Sequence, residues 1–153
     1  MTNIVRIVSL VAACSFAGVA SAQSTGKEAI ATPNAPHVVG PYSQAIRVGN
    51  LLFLAGQVAI DPKTNKLIEE PNIEVQTRRV LDNLKAVLEA AGMTMDNVVS
   101  TTVFMSDINE FQKMNEAYAT YFKDRPPARA TVQVARLPLN AKVEISAIAM
   151  RTD

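Results

Sequence analysis

Thiol and imidazole groups are almost absent from this chain of 153 residues, which has one cysteine and one histidine. Cys14 lies in an N-terminal apolar segment, and removal of that segment would leave no thiol for a disulfide, a nucleophile or a zinc cluster. His37 stands in a stretch rich in proline and asparagine rather than beside carboxylates, so it indicates no metal site. Any chemistry therefore has to come from other acids, bases and hydrogen-bond donors.

An excess of positive charge is also missing. The chain has 15 basic and 14 acidic residues, and without residues 1–22, which contain Arg6, both numbers are 14. Proteins that bind nucleic acid depend on clustered lysine and arginine to neutralise phosphates. The sequence therefore predicts no nucleic-acid partner.

Residues 1–22 have the layout of a secretory signal peptide. Arg6 precedes an uncharged apolar run, and residues 20–22, Ala-Ser-Ala, form a small-x-small cleavage site. The run is shorter than the roughly 20 apolar residues of a membrane-spanning helix. We therefore expect cleavage after Ala22 and a periplasmic or secreted protein without stable membrane association. Residues 11–14 resemble a lipoprotein box, which leaves open an alternative, a lipoprotein anchored at Cys14.

The remaining residues are enough for one compact domain with its own core. Residues 23–37 are polar and contain Pro33 and Pro36, which predicts a flexible lead-in, and residues 38–153 then form the domain. No internal repeat or linker interrupts this part of the sequence.

The apolar pattern predicts elements in the order β-β-α-β-α-β-β. The first helix begins near Ile73 and is stopped by Gly92, and the second covers residues 109–122, with Asn115 beside its apolar stripe. A turn at residues 61–65 indicates a further short hairpin. The predicted strands cover residues 43–47, 51–55, 98–105, 130–134 and 142–150.

Two helices can cover only one face of the single mixed sheet that this order predicts. Strands such as residues 98–105 nevertheless carry no charge and have apolar residues at both odd and even positions, which is typical of a sheet that is buried on both faces. We therefore expect other subunits to cover the second face, and thus an oligomer.

Two charged residues interrupt the strand-like runs near the C-terminus. Arg129 follows a Pro-Pro pair, and Glu144 lies inside the last strand. A guanidinium presents paired donors in a fixed plane, which suits a small carboxylate, and a nearby carboxylate suits activation of water or proton transfer. Charges on strands are more often at the surface, so two alternatives stay open. Arg129 and Glu144 could pair with each other, or each could face solvent.

Several motifs resemble the RidA (YjgF) family of reactive-imine deaminases over residues 32–151. The motifs are GPYSQA at residues 40–45, LAGQ at residues 54–57, LDNL at residues 81–84, and the stretch from Pro127-Ala128-Arg129 to Glu144. The resemblance implies an α+β, chorismate-mutase-like fold, with a single mixed sheet and two helices on one face. It also implies a homotrimer in which the sheets form a barrel and the active sites lie between subunits.

The resemblance further implies hydrolysis of 2-imino acids such as 2-iminopropanoate and 2-iminobutanoate to 2-keto acids and ammonia, without a metal or cofactor. In this family's pattern, Arg129 would hold the substrate carboxylate and Glu144 would orient or activate water. Tyr42 would form part of the cleft wall, Gly56 would offer a backbone contact, and Asn115 would offer a polar contact. Each of the last three could instead have a packing role only.

The chain departs from the common family pattern at two positions. Ala55 stands where many members have serine, and Thr131 stands where many have cysteine. Ala55 removes a hydroxyl donor, whereas Thr131 keeps a polar group. That group could contact substrate, or Thr131 could be an ordinary residue of the strand. These changes affect the expected substrate preference and rate, but they leave the arginine in place.

Three functions in different classes are compatible with the sequence. The first is the imine deaminase, and the second is a non-catalytic sensor that binds a keto acid in the same cleft. The third is a holdase or ribonuclease-type protein like some members of the family, which the balanced charge disfavours.

Overall fold

A computed structural model describes residues 26–152 of the chain. The expected signal peptide, its cleavage after Ala22 and the alternative anchor at Cys14 lie outside the described residues. No helix within the described range is both long enough and apolar enough to cross a membrane.

Six strands form one mixed sheet: β1 (Lys27–Ile30), β2 (Ala45–Val48), β3 (Leu51–Gln57), β6 (Val98–Met105), β7 (Ala128–Gln133) and β8 (Val143–Met150). Their spatial order is β1-β2-β3-β8-β6-β7. All neighbouring pairs are antiparallel except β6 and β7, which run parallel. A separate two-stranded hairpin, β4 (Ile60–Asp61) and β5 (Lys66–Leu67), confirms the turn predicted at residues 61–65.

The first helix, α1 (Ile73–Ala90), has the predicted limits because a capping residue precedes it and a glycine follows it. The Asn72 side chain caps the first turn by accepting hydrogen bonds from the backbone N–H groups of Glu74 and Val75. Gly92 follows the helix with φ +67°, a conformation that glycine adopts without steric cost. The buried stripe of α1 packs against β3 and β8, as its 3.6-residue periodicity predicts.

The second helix is shorter than the sequence predicts. A 3₁₀ turn (Ile108–Glu110) precedes α2 (Phe111–Ala119), whereas a continuous helix over residues 109–122 was expected. The Thr120 hydroxyl donates a hydrogen bond to the Ala117 carbonyl, and this local bond competes with helix continuation. Helix α2 packs on α1, so both helices lie on the same face of the sheet, and the predicted α+β architecture is confirmed.

No helix within residues 26–152 lies over the other face of the sheet. In the register of β2, β3, β6, β7 and β8, the residues that alternate with the buried core point to this side. They include the partly exposed apolar side chains Val48, Phe53, Val132 and Ile148, whose exposed fractions are 43%, 43%, 45% and 36%. The structure therefore has the one uncovered apolar face that the sequence predicts.

The start of the described chain is more ordered than the flexible lead-in expected for residues 23–37. Strand β1 pairs with β2 along its whole length. The buried Gln44 side chain then fixes the following segment, because its amide accepts from the Thr32 N–H and donates to the carbonyls of Thr32 and Pro36. The polar, proline-containing composition concealed this order, since the stabilising bonds come from a residue outside the segment.

Candidate functional site

Arg129 lies on β7, the edge strand of the sheet, and its side chain reaches the same face as α2. The centre of its guanidinium lies 4.5 Å from the centroid of the Tyr118 ring and 5.6 Å from that of Phe111. Stacking on an aromatic face leaves the N–H edge of a guanidinium free for hydrogen bonds. Within residues 26–152, Arg129 forms no ion pair with a carboxylate.

Asn115 fixes the edge of the same guanidinium. Arg129 Nη2 donates a hydrogen bond of 2.9 Å to Asn115 Oδ1, from the middle of α2. Because arginine only donates, the Asn115 amide must turn its oxygen toward Arg129. This hydrogen bond explains why a polar residue, Asn115, lies beside the apolar stripe of the helix. The structure thus brings Asn115 together with Arg129.

Thr131 lies on the same face of β7 as Arg129, two residues further along the strand. Its hydroxyl is buried, and it has no hydrogen-bond partner in the described part of the chain. A buried polar group without a partner costs free energy, so a ligand or a neighbouring chain that supplies one would be favoured here. Arg129, Asn115 and Thr131 together define what we call the arginine half-site.

Glu144 lies on β8 and points to the helix-free face of the sheet, opposite Phe104 of β6. Burial raises the pKa of the Glu144 carboxyl above its ordinary value, because the charged form is desolvated. The carboxylate lies directly over Gly56. A Cβ atom at position 56 would approach the Glu144 Cδ to 2.9 Å and its Cγ to 3.1 Å, so only glycine leaves room for this arrangement.

An open cavity of about 610 Å³ contains the Glu144 carboxylate at one wall. Tyr42, which is 52% exposed, lies at the same cavity, as does Gly56. We call Glu144, Gly56 and Tyr42 the glutamate half-site. The other residues that line the cavity are mostly apolar: Val39, Val58, Ile60, Asn65, Pro138 and Leu139.

The two half-sites lie on opposite faces of one sheet. Arg129 is in register with the buried Thr101 on β6, whereas Glu144 is in register with Phe104, three residues further along the same strand. Side chains separated by an odd number of residues on a strand point to opposite faces. The alternative that Arg129 and Glu144 pair with each other within one chain is therefore wrong. The fold of one chain places the members of each half-site next to one another, but it keeps the two half-sites apart.

Several neighbours of these half-sites were not predicted as site residues. Tyr118 and Phe111 looked like core residues of an amphipathic helix, although their spacing of three and four from Asn115 places them on its face. Leu139 was not singled out either. Its backbone is left-handed, with φ 56°, a conformation that no apolar pattern reveals.

No group of three or more His, Cys, Asp or Glu side chains within residues 26–152 is placed to hold a metal ion. The chemistry that these half-sites offer is recognition of an anion by a stacked guanidinium and proton acceptance by a partly buried carboxylate.

Residues 32–151 match the family model described as Endoribonuclease L-PSP. A RutC family protein of Pyrococcus horikoshii is 54% identical over 82% of this chain and 98% of its own length. The chloroplastic Reactive Intermediate Deaminase A of Arabidopsis thaliana is 48% identical over 84% of this chain and 68% of its own length. The crystal structure of E. coli TdcF with bound serine is similar to this chain with a TM-score of 0.78 and 38% identity. The match covers 82% of this chain and 99% of the TdcF chain. The motifs, the sheet with two helices on one face and the match over residues 32–151 agree, so the chain belongs to the RidA/YjgF family.

Proposed function

We propose that this protein hydrolyses 2-imino acids such as 2-iminopropanoate and 2-iminobutanoate to 2-keto acids and ammonia. The observation that carries the proposal is the arginine half-site. There a permanent cation is held by aromatic faces and an amide, yet has no carboxylate partner among residues 26–152. Such a cation suits a small carboxylate, because two parallel N–H groups match two carboxylate oxygens.

Two relatives support this substrate class. The Arabidopsis protein is named a reactive intermediate deaminase, and the TdcF structure contains serine. Serine has a carboxylate next to a carbon that bears nitrogen, and a 2-imino acid shares this arrangement. The shared chemistry is a carboxylate to be bound beside a carbon–nitrogen bond.

The opposite faces of the two half-sites support a site between subunits. One substrate of a few atoms cannot contact Arg129 and Glu144 of the same chain across the sheet, so Arg129 of one subunit would approach Glu144 of its neighbour. The apolar helix-free face would be covered in the same assembly, which we propose to be a homotrimer. Covering this face removes partly exposed side chains such as Phe53 from water, which favours association.

The proposed reaction needs one water and one proton acceptor. Arg129 binds the substrate carboxylate and so fixes the position of the protonated imine carbon, which is already electrophilic. Glu144, as the carboxylate, accepts a proton from water while the water oxygen forms a bond to that carbon. The same proton then passes from Glu144 to the nitrogen. The hydroxyl group of the tetrahedral intermediate gives its remaining proton to Glu144 as the carbonyl forms and the carbon–nitrogen bond breaks, and the departing ammonia takes up that proton. The products are the 2-keto acid and ammonium.

A coupled assay tests the proposal. An amino-acid oxidase or a threonine dehydratase generates the imine, and keto-acid formation is followed with and without the protein. We expect the wild type to accelerate keto-acid formation and Arg129→Ala not to. Keto-acid binding without acceleration for any 2-imino acid would instead identify a metabolite sensor, and cleavage of RNA by the same preparation would favour a ribonuclease.

A further inference from the structure

We infer that Tyr118 is a positioning residue for Arg129, one that fixes the plane of the guanidinium so that its N–H edge faces the substrate carboxylate. The inference rests on the proposed function for the identity of the ligand. It concerns an aromatic side chain that the sequence assigns to the core of α2 and that touches no substrate in the proposed reaction.

The contact between the two side chains is close and involves the ring face. The guanidinium centre of Arg129 lies 4.5 Å from the Tyr118 centroid, nearer than to Phe111 at 5.6 Å. A cation stacked on an aromatic ring is attracted by the negative ring face and loses rotational freedom about its last bonds. Asn115 holds one edge of the guanidinium at the same time. Plane and edge are therefore fixed by two residues that lie three positions apart on α2.

The Tyr118 ring is itself held in place. Its hydroxyl forms a hydrogen bond of 2.8 Å with the Thr101 Oγ1, and this contact is buried. Phe122 packs on the ring with a centroid separation of 4.6 Å. Thr101 lies directly opposite Arg129 in the pairing of β6 with β7. The hydrogen bond thus ties the aromatic ring to the strand position next to the arginine that it supports.

The position of Arg129 in the sheet explains why its side chain needs the support of the Tyr118 ring. Arg129 lies on an edge strand, where one side of the backbone has no neighbouring strand among the described residues. A long arginine side chain loses much rotamer freedom when it is ordered. A ring anchored to β6 orders the side chain before the ligand arrives, so less of the binding free energy is lost on ordering.

Variants at Tyr118 separate positioning from packing. Tyr118→Leu removes the aromatic face and Tyr118→Phe keeps it. Tyr121→Leu is the matched control, because it removes a tyrosine ring close by whose hydroxyl contacts Asp82 and which does not lie against Arg129. We expect Tyr118→Leu to weaken keto-acid binding about fivefold to thirtyfold. Tyr118→Phe should rescue most of this loss, and Tyr121→Leu should bind within about twofold of the wild type at the same fraction folded. In the imine assay the loss should raise KM more than it lowers kcat.

A measurement without substrate keeps this inference separate from the proposed function. In nitrogen-15 NMR of the full assembly, the Arg129 Nε–H signal should be slow to exchange and shifted by the ring in the wild type and in Tyr118→Phe. It should lose both properties in Tyr118→Leu. An unchanged Arg129 signal and unchanged affinity in Tyr118→Leu, or an equal loss in Tyr121→Leu, would overturn the positioning role. If the signal changes as expected while the wild type binds no keto acid, the positioning role stands and the proposed function fails.

Discussion

At the scale of residues, the two charged groups that the sequence singles out have different surroundings. Arg129 is stacked and hydrogen-bonded on the helix side of the sheet, and Glu144 lies over Gly56 on the other side. Burial raises the pKa of Glu144 and thereby makes its carboxylate a better proton acceptor than an exposed glutamate. The tasks proposed for them, carboxylate binding by Arg129 and proton transfer by Glu144, can be tested separately.

Replacement of Arg129 by lysine should impair keto-acid binding nearly as much as replacement by alanine. Lysine keeps the charge but loses the planar pair of donors and the flat surface that stacks on Tyr118. The loss of such a charge-assisted pair corresponds to roughly 2–5 kcal/mol, or about 30-fold to several thousandfold in affinity. Calorimetry with pyruvate or 2-oxobutanoate measures it. Arg125→Ala, which removes an exposed cation nearby, is the control for net charge. Binding by Arg129→Ala at wild-type strength would contradict the site assignment.

Glu144→Gln should lower turnover while leaving keto-acid affinity within about a few-fold of the wild type, because the substituted amide keeps the size but cannot accept the proton. In the wild type, turnover should fall on acidification through a pKa above the ordinary glutamate value, and Glu144→Gln should lack this limb. Normal turnover by Glu144→Gln would reduce Glu144 to a structural residue of the sheet.

The same raised pKa affects stability. The folded protein holds the Glu144 proton more tightly than the unfolded chain, so this group's contribution to stability falls as pH rises from the unfolded pKa through the folded pKa. The melting temperature of Glu144→Gln relative to the wild type should therefore increase with pH over this window. A difference that does not depend on pH would contradict the desolvated position of Glu144.

At the scale of elements, the segment between β7 and β8 is the least regular part of the site. Within the described residues, three non-glycine positions have positive φ, and two of them, Asn65 and Asn140, are asparagines, which tolerate this conformation. The third is Leu139, with φ 56°, which is 60% exposed and lines the cavity of the glutamate half-site. A residue that is strained, exposed and apolar at the wall of a cavity more often serves ligand binding than the stability of the fold.

Leu139→Asn should therefore stabilise the fold by about 1 kcal/mol, because asparagine adopts the left-handed conformation at lower cost. It should also weaken binding of keto acids with long apolar side chains more than binding of pyruvate, since the cavity loses part of its apolar wall. Denaturant unfolding and calorimetry measure the two effects. Val39→Thr, which changes the same wall without positive φ, should leave stability nearly unchanged. A destabilised Leu139→Asn would mean that a neighbouring subunit covers Leu139.

The sequence predicts elements better than it predicts their faces. The limits of α1 follow from the apolar pattern that begins at Ile73 and from Gly92, and the hairpin at β4 and β5 follows from its turn residues. The opposite orientation of Arg129 and Glu144 does not follow from either run alone, because it depends on how β7 and β8 align with β6. Likewise, the order at residues 27–36 depends on β2 and on Gln44, which lie further along the chain.

At the scale of the whole molecule, two observations favour the same assembly of several subunits. One is the apolar helix-free face, and the other is the placement of the two half-sites on opposite faces of the sheet. If Arg129 and Glu144 act on one substrate, they come from different subunits, and the contact that joins them also covers side chains such as Phe53 and Ile148. Export with cleavage after Ala22 stays a prediction. N-terminal mass spectrometry would distinguish it from acylation at Cys14.

Mixed assemblies of two inactive variants test the divided site most directly. Arg129→Ala and Glu144→Gln subunits with different affinity tags are produced together, and trimers that carry both tags are purified. In a closed ring in which each site takes Arg129 from one subunit and Glu144 from the next, every mixed trimer has one intact site, so about one third of wild-type turnover is expected. Each variant alone should turn over far more slowly than the mixed trimers. Mixed trimers, verified by native mass spectrometry, that are as inactive as their parents would contradict a site formed between subunits.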